Sequence, residues 1–277
     1  MSKYYYVTAM SGEPFIRNFG QYAVKSLLKA GVSPKDVHVC VNDKEDKQLV
    51  KKLLPEIKQN LHRTREDLSY IKWTYERGKR KYSMFKIGSL VKFFGKPIPK
   101  RHMMFFDGDV LFFQNPTKFL KTVDHKTWFH HGKDYIVKAQ KKFGITEKDV
   151  DVNNYESLSR WVPAPTAYLL LKYGMSHWPK TECVAGLYLM HPKDHERLLK
   201  TTYEYTKEIA HLDEFNRHFG AGDQKPMNAA VNVLNIDWHG GGRSKFPECS
   251  KYFFHYFGIQ DRKDDFHAKA KELGVMQ

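Results

Sequence analysis

The rhythm of apolar and polar positions changes several times along this chain, and each change marks an element. Tyr4 to Ala9 is a nearly unbroken apolar run and predicts a first strand. From Glu13 to Ala30 the large residues Phe15, Phe19, Ala23 and Leu27 fall at helical spacing, which predicts an amphipathic helix. Val37 to Val41 reads as a short second strand, after which Asn42 or Asp43 caps a helix running towards Gln59 that Pro55 bends or ends. A helix from about Tyr82 to Phe94 then leads, through Gly95 and two prolines, into the apolar run that ends at Asp107. Strands alternating with helices predict an α/β fold with a mostly parallel central sheet flanked by helices. Such sheets place ligands beyond the carboxyl ends of their strands, where Asp107 falls.

Beyond Asp109 the pattern loosens. Pro116 starts a short helix, Trp128 to His131 predicts a strand, and Lys133 to Pro165 is a polar excursion with few clear elements, of the kind that often serves as a substrate loop or lid. Regular structure returns with Thr166 to Leu171 and with the apolar strand Val184 to Met190. A helix from about Pro192 to Ile209 and another from Asp223 to Val233 follow. No repeat or linker divides the chain, so 1–277 is read as one domain.

The most informative stretch is Met103-Met104-Phe105-Phe106-Asp107-Gly108-Asp109-Val110-Leu111-Phe112-Phe113. Two carboxylates inside an apolar run are tolerated only when they are paired or bind a cation. Side chains at i and i+2 of an extended segment point the same way, so Asp107 and Asp109 are candidates to share one hard metal ion, with Gly108 leaving room for a ligand. Asp149-Val150-Asp151 has the same spacing in a polar run and reads as a solvated loop or helix start.

Composition narrows the picture. With 41% hydrophobic residues the chain can bury a large core. Cys40, Cys183 and Cys249 are widely spaced, as in ordinary thiols of a reducing compartment. No run reaches the length of a membrane span and no secretory signal opens the chain, so the expectation is a cytoplasmic protein. The formal charge is +15. Residues 72–101 contribute heavily, with ten Lys or Arg against Glu76 alone and with Trp73, Tyr75, Tyr82, Phe85, Phe93 and Phe94 interleaved. That mixture suits a polyanion, and equally a solvated helix face with a buried aromatic side.

Three later segments accompany the acidic pair: Val184-Ala185-Gly186 opening an apolar strand, Asp223-Gln224-Lys225-Pro226-Met227-Asn228 starting a helix, and His255-Tyr256-Phe257-Gly258 after an aromatic strand. In this order the chain resembles the GT-A glycosyltransferases, most closely the retaining branch that includes glycogenin and bacterial lipopolysaccharide galactosyltransferases. The resemblance implies that Asp107, Asp109 and His255 bind a divalent cation, Mn²⁺ or Mg²⁺, that grips the diphosphate of a nucleotide sugar. A nitrogen ligand favours Mn²⁺. It places Asp223 and Gln224 beside the transferred sugar as catalytic residues, although Asp223 is also positioned to cap its helix. It implies donor contacts from Thr8 and Ala9 at the nucleotide base, from Lys86 near the sugar or diphosphate, and from Gly186 and Gly258. The resemblance also makes 1–115 a nucleotide-binding half and 116–277 an acceptor and catalytic half. Relatives commonly carry Asn where this chain has Val184, and Lys where it has Asp261, with Arg262 and Lys263 candidate replacements for that lysine.

The implied reaction moves a sugar, most simply from a UDP-sugar, to an acceptor hydroxyl, with retention through either a covalent step at Asp223 or attack from the leaving-group face. The acceptor is left open among a glycan, a lipid head group, a protein tyrosine, and DNA carrying hydroxymethylated pyrimidines, the last because of the basic aromatic region. Two other classes compete: an aspartate-dependent phosphatase, which would need an acidic partner such as Asp264-Asp265 behind a strand, and a non-catalytic nucleic-acid-binding protein.

Overall fold

The computed structural model describes residues 2–65, 75–98, 100–130, 132–212, 223–240, 247–256 and 262–277. A seven-stranded sheet forms its centre. The strands are β1 (Tyr4–Ala9), β2 (Val37–Val41), β3 (Leu61–Arg63), β4 (His102–Phe106), β6 (Thr127–Phe129), β9 (Leu187–Met190) and β10 (Trp238–Gly240), in the spatial order β10-β6-β9-β4-β1-β2-β3. β9 runs antiparallel to both of its neighbours, whereas the other pairs are parallel, so the sheet is mostly parallel as expected.

The central strands β1, β4 and β9 are buried on both faces, and their two-residue period sorts side chains into two cores. Tyr5, Val7, Met103, Phe105, Tyr188 and Met190 face one side; Tyr4, Tyr6, Met104, Phe106, Leu187 and Leu189 face the other. Helices α4 (Tyr75–Phe94), α7 (Tyr155–Trp161), α8 (Ala164–Tyr173), α9 (Pro192–His211) and α10 (Gln224–Val233) contribute to the first core. Helices α2 (Gln21–Lys29), α3 (Lys44–Leu53) and α5 (Thr117–Val123) contribute to the second.

Local chemistry sets most boundaries. Asp43 caps α3 by accepting from the Asp46 amide at 2.7 Å, and Pro55 ends the helix, the chain continuing as a 3₁₀ segment to Asn60. The first predicted helix is interrupted: α1 (Glu13–Phe15) passes through a wide π turn over Ile16–Gly20 before α2.

Several expectations need correction. The helix before β4 begins at Tyr75, not Tyr82, because the charged run Glu76 to Lys81 continues the helix without an apolar periodicity to announce it. The 133–165 segment is not an irregular excursion: it holds α6 (Tyr135–Phe143), a 3₁₀ turn and α7, anchored by buried Tyr135, Ala139, Leu158 and Trp161. The regular structure expected at Thr166 to Leu171 is present as α8, whereas the strand predicted from Val184 begins only at Leu187. Asp149 behaves as expected of a solvated helix start, completing a capping box with Thr146.

Candidate active site

The site forms where β4 stops. Residues 107–109 turn instead of continuing the strand, and the chain then enters β5 (Val110–Phe112). The two aspartates therefore converge through a turn and not by strand alternation, which corrects the expectation of an extended i, i+2 pair. β5 pairs antiparallel with β11 (Phe253–His255) in the register Val110↔His255, and the Tyr256 amide donates to the Asp109 carbonyl at 2.9 Å. This two-stranded ladder carries the distant imidazole to the acidic turn. His255 Nε2 lies 3.1 Å from Asp109 Oδ1, and one ligand atom from each of Asp107, Asp109 and His255 falls within 4.8 Å of the others. Asp109 Oδ1 is buried, and this approach of the imidazole is its contact among the described residues, an arrangement of two ligand atoms that a cation could share.

Gly186 closes the site from the β9 side. Its carbonyl accepts from the Asp107 amide at 2.7 Å. A Cβ there would stand 2.2 Å from His255 Cε1 and 2.9 Å from both Asp107 Oδ2 and His255 Nε2, so the imidazole and the carboxylate fit only against a glycine. Gly108 has a different task from the one expected. A Cβ on it would meet the Phe15 ring at 2.7 Å and Gly20 Cα at 3.2 Å, so it admits the first helix and not a ligand.

Lys86 is the electrostatic centre. It is 1% exposed, yet its ammonium donates to Asp107 Oδ1 at 3.1 Å and to the Ala185 carbonyl at 2.9 Å, pairs with Asp223 Oδ2 at 2.9 Å, and lies 4.3 Å from the centre of the Phe105 ring. Burial disfavours its charge, but Asp107 and Asp223 outweigh burial and hold its pKa above the ordinary lysine value. The Asp107 carboxyl is pushed up to about 6, by burial first and then by the nearby Asp109 and Asp223, against the pull of Lys86 and His255. Two carboxylates share this one ammonium and a third, Asp109, acts on Asp107, which leaves an excess of negative charge that suits a cation.

Asp223 does not cap α10: its side chain makes no cap hydrogen bond and turns to Lys86. The helix start is fastened from β8 (Thr181–Cys183) instead. Asn228 accepts from the Cys183 amide at 2.7 Å and donates to the Cys183 carbonyl at 2.8 Å, while Glu182 binds the side chains of Gln224 and Lys225. Glu182 and the clamping role of Asn228 were not foreseen. A lone acid just before the apolar run Cys183-Val184-Ala185-Gly186 was the available signal, the same one that marked Asp107.

Thr8 and Ala9 end β1 in the sheet, and Thr8 Oγ1 is buried without a partner among the described residues. Lys263 is exposed at the start of the helix Lys263–Glu272, and no contact among the described residues joins it to the acidic turn. Gly258 and Asp261 lie outside the described residues. In the basic region, side chains are described only from Met84 onward. There Lys86 is internal, Lys92 donates to the Thr64 carbonyl, and Arg101 binds Asp36 and the Tyr4 carbonyl, so these cations serve the fold. Asp264 and Asp265 sit exposed in the first turn of a helix. The three cysteines are buried, and no described helix is long and apolar enough to cross a membrane.

No protein-family model and no curated protein matches the chain. Solved structures do. The chain is similar to the galactosyltransferase LgtC, solved with donor and acceptor sugar analogues, over 98% of this chain and 96% of that one, at 15% identity and a TM-score of 0.52. It is also similar to the bifunctional glycosyltransferase WbbM, at 14% identity and a TM-score of 0.51, covering 99% of this chain and 51% of that one. At such identities the likeness shows the fold, and it is the GT-A fold that the sequence motifs imply.

Proposed function

We propose that this chain is a metal-dependent glycosyltransferase that moves a sugar from a nucleotide diphosphate, a UDP-sugar in the simplest case, to an acceptor hydroxyl of a glycan with retention of configuration. The observation that carries this reading is the meeting of Asp107 and Asp109 with His255, from two segments far apart in sequence, at the carboxyl end of the central strand. Two carboxylates and one imidazole fit Mn²⁺, with Mg²⁺ as the harder substitute, and the space kept clear by Gly186 fits the same purpose. When bound, the ion neutralises charge on the departing diphosphate.

The protein's own groups complete the chemistry. Residues 1–115 contribute the nucleotide side, with Thr8 and Ala9 at the strand end facing the base. Lys86 sets the spacing of Asp107 and Asp223 and adds positive charge close to the leaving group. Because Asp223 is engaged by Lys86, Gln224 is the better placed of the two to offer an oxygen to the positive charge that develops at the anomeric carbon. Gly258 and Lys263 belong to the donor side by resemblance alone. The DNA acceptor gains nothing from Lys86, Lys92 or Arg101 of the basic region, which serve the fold instead.

The test is a thermal-shift screen of UDP-sugars with and without Mn²⁺. A ligand at a hundredfold excess over its Kd stabilises the native state by about 2.7 kcal/mol. The reading predicts a rise in Tm that requires both sugar nucleotide and metal. A rise with UDP-sugar alone, or none with any member of the panel, contradicts it.

A further inference from the structure

Glu182 is a buried carboxylate with no part in the mechanism above. It is 4% exposed, on β8, four residues before Gly186. Gln224 Nε2 lies 2.6 Å from its Oε1, and the Lys225 ammonium binds the same oxygen. Lys225, followed by the hydrogen bond from Gln224, outweighs the cost of burial and holds Glu182 ionised below the ordinary glutamate range. An ionised carboxylate only accepts hydrogen bonds, so the amide it faces must present its NH₂ group. The Gln224 oxygen is thereby turned away from Glu182. One turn along, Asn228 accepts from and donates to the Cys183 backbone and donates to the Gln224 carbonyl at 2.7 Å, so backbone and side chain of Gln224 are fixed from the same strand.

Resting on the proposed role of Gln224 at the transferred sugar, we propose that Glu182 is a positioning residue that locks the Gln224 amide with its oxygen, and not its NH₂, available to the reacting carbon. The distinction matters because the two ends of the amide act oppositely on a developing positive charge: the oxygen stabilises it and the NH₂ group repels it. Lys225 supplies the charge that keeps Glu182 an obligate acceptor. Glu182→Gln removes that obligation, since a glutamine at position 182 can donate to the Gln224 oxygen and let the amide turn over.

The experiment compares wild type, Glu182→Gln, Gln224→Ala and the double variant in Mn²⁺-dependent release of UDP from UDP-galactose and UDP-glucose, with Mn²⁺ and UDP binding measured in parallel. A misaligned catalytic group costs up to about a hundredfold in rate. Glu182→Gln should lower kcat at least about tenfold while KM and the affinities for Mn²⁺ and UDP stay within about twofold, and the double variant should be no slower than Gln224→Ala. Additive losses, or a loss of UDP and metal binding that matches the loss of rate, would overturn the positioning role in favour of a purely structural one. Full activity in Gln224→Ala would remove the role of Gln224 and this proposal with it, and no UDP release by the wild type would remove the sugar-transfer reading itself. Glu182→Asp, which stays an obligate acceptor, should recover part of kcat, and its failure to exceed Glu182→Gln would also count against the proposal.

Discussion

Gly186→Ala is the substitution that addresses the candidate metal site most selectively. The added methyl would stand 2.2 Å from His255 Cε1 and 2.9 Å from Asp107 Oδ2, against the roughly 3.5–4.0 Å of an ordinary carbon contact, so the imidazole must withdraw by more than about 1 Å. Without metal the ring can yield by giving up its 3.1 Å approach to Asp109 Oδ1. With metal it must be held in place, and the overpacking cost of about 1–3 kcal/mol then falls on binding. At about 1.4 kcal/mol per factor of ten, Mn²⁺ affinity should drop about 5- to 150-fold. Calorimetric titration of Mn²⁺ in the presence of UDP measures this, and urea unfolding of the metal-free protein shows that the fold persists. Unchanged Mn²⁺ affinity in a folded variant would mean that His255 and Asp107 do not jointly bind the ion.

Three other outcomes follow from the same geometry. Lys86→Met leaves Asp107 and Asp223 without their shared ammonium; breaking a buried pair costs about 3–5 kcal/mol, so urea unfolding should show a loss of that order, and a loss under about 1 kcal/mol would contradict the central place given to Lys86. Asp223→Asn should keep the helical circular dichroism of the wild type, since its side chain caps nothing, while lowering UDP-sugar turnover at least tenfold (about 1.4 kcal/mol). His195 is fully buried, donates from Nε2 to the Phe94 carbonyl, and has its pKa lowered by burial to about 4. The unfolded chain therefore binds more protons between about pH 6.5 and 4, so this stability is fully present above 6.5, falls by up to about 3 kcal/mol as pH drops, and levels off below 4. His195→Gln should show a shallower loss of stability between pH 7 and 4.5 in urea titrations, and identical slopes would refute the assignment.

Much of this architecture was legible because its central strands are nearly pure in pattern. Tyr4 to Ala9 and Met103 to Phe106 read as buried strands and are. The acidic pair stood out because charge in an apolar run demands a partner, and His255 followed from its resemblance to a known H-x-x-G segment. The turn geometry of residues 107–109 was not legible, since strand alternation and a tight turn both bring i and i+2 together. Gly108 looked like room for a ligand because a sequence does not reveal that Phe15 packs there. The helices of 133–165 were missed because each buries few residues, such as Tyr135 and Ala139 or Leu158 and Trp161. Lys86 carried only a resemblance to a basic donor contact, and its buried role comes from Asp107, the Ala185 carbonyl and Asp223, which the sequence does not show to converge.

The central claim is that Asp107, Asp109 and His255 ligate one divalent ion. Pulsed electron paramagnetic resonance of Mn²⁺ added together with UDP tests it most directly, because an imidazole ligand couples the manganese to a nitrogen nucleus. The account predicts such a coupling in the wild type, its loss in His255→Ala, and loss of the bound ion in Asp109→Ala. Mn²⁺ bound with UDP but without a nitrogen coupling, or a coupling that survives His255→Ala, would contradict it.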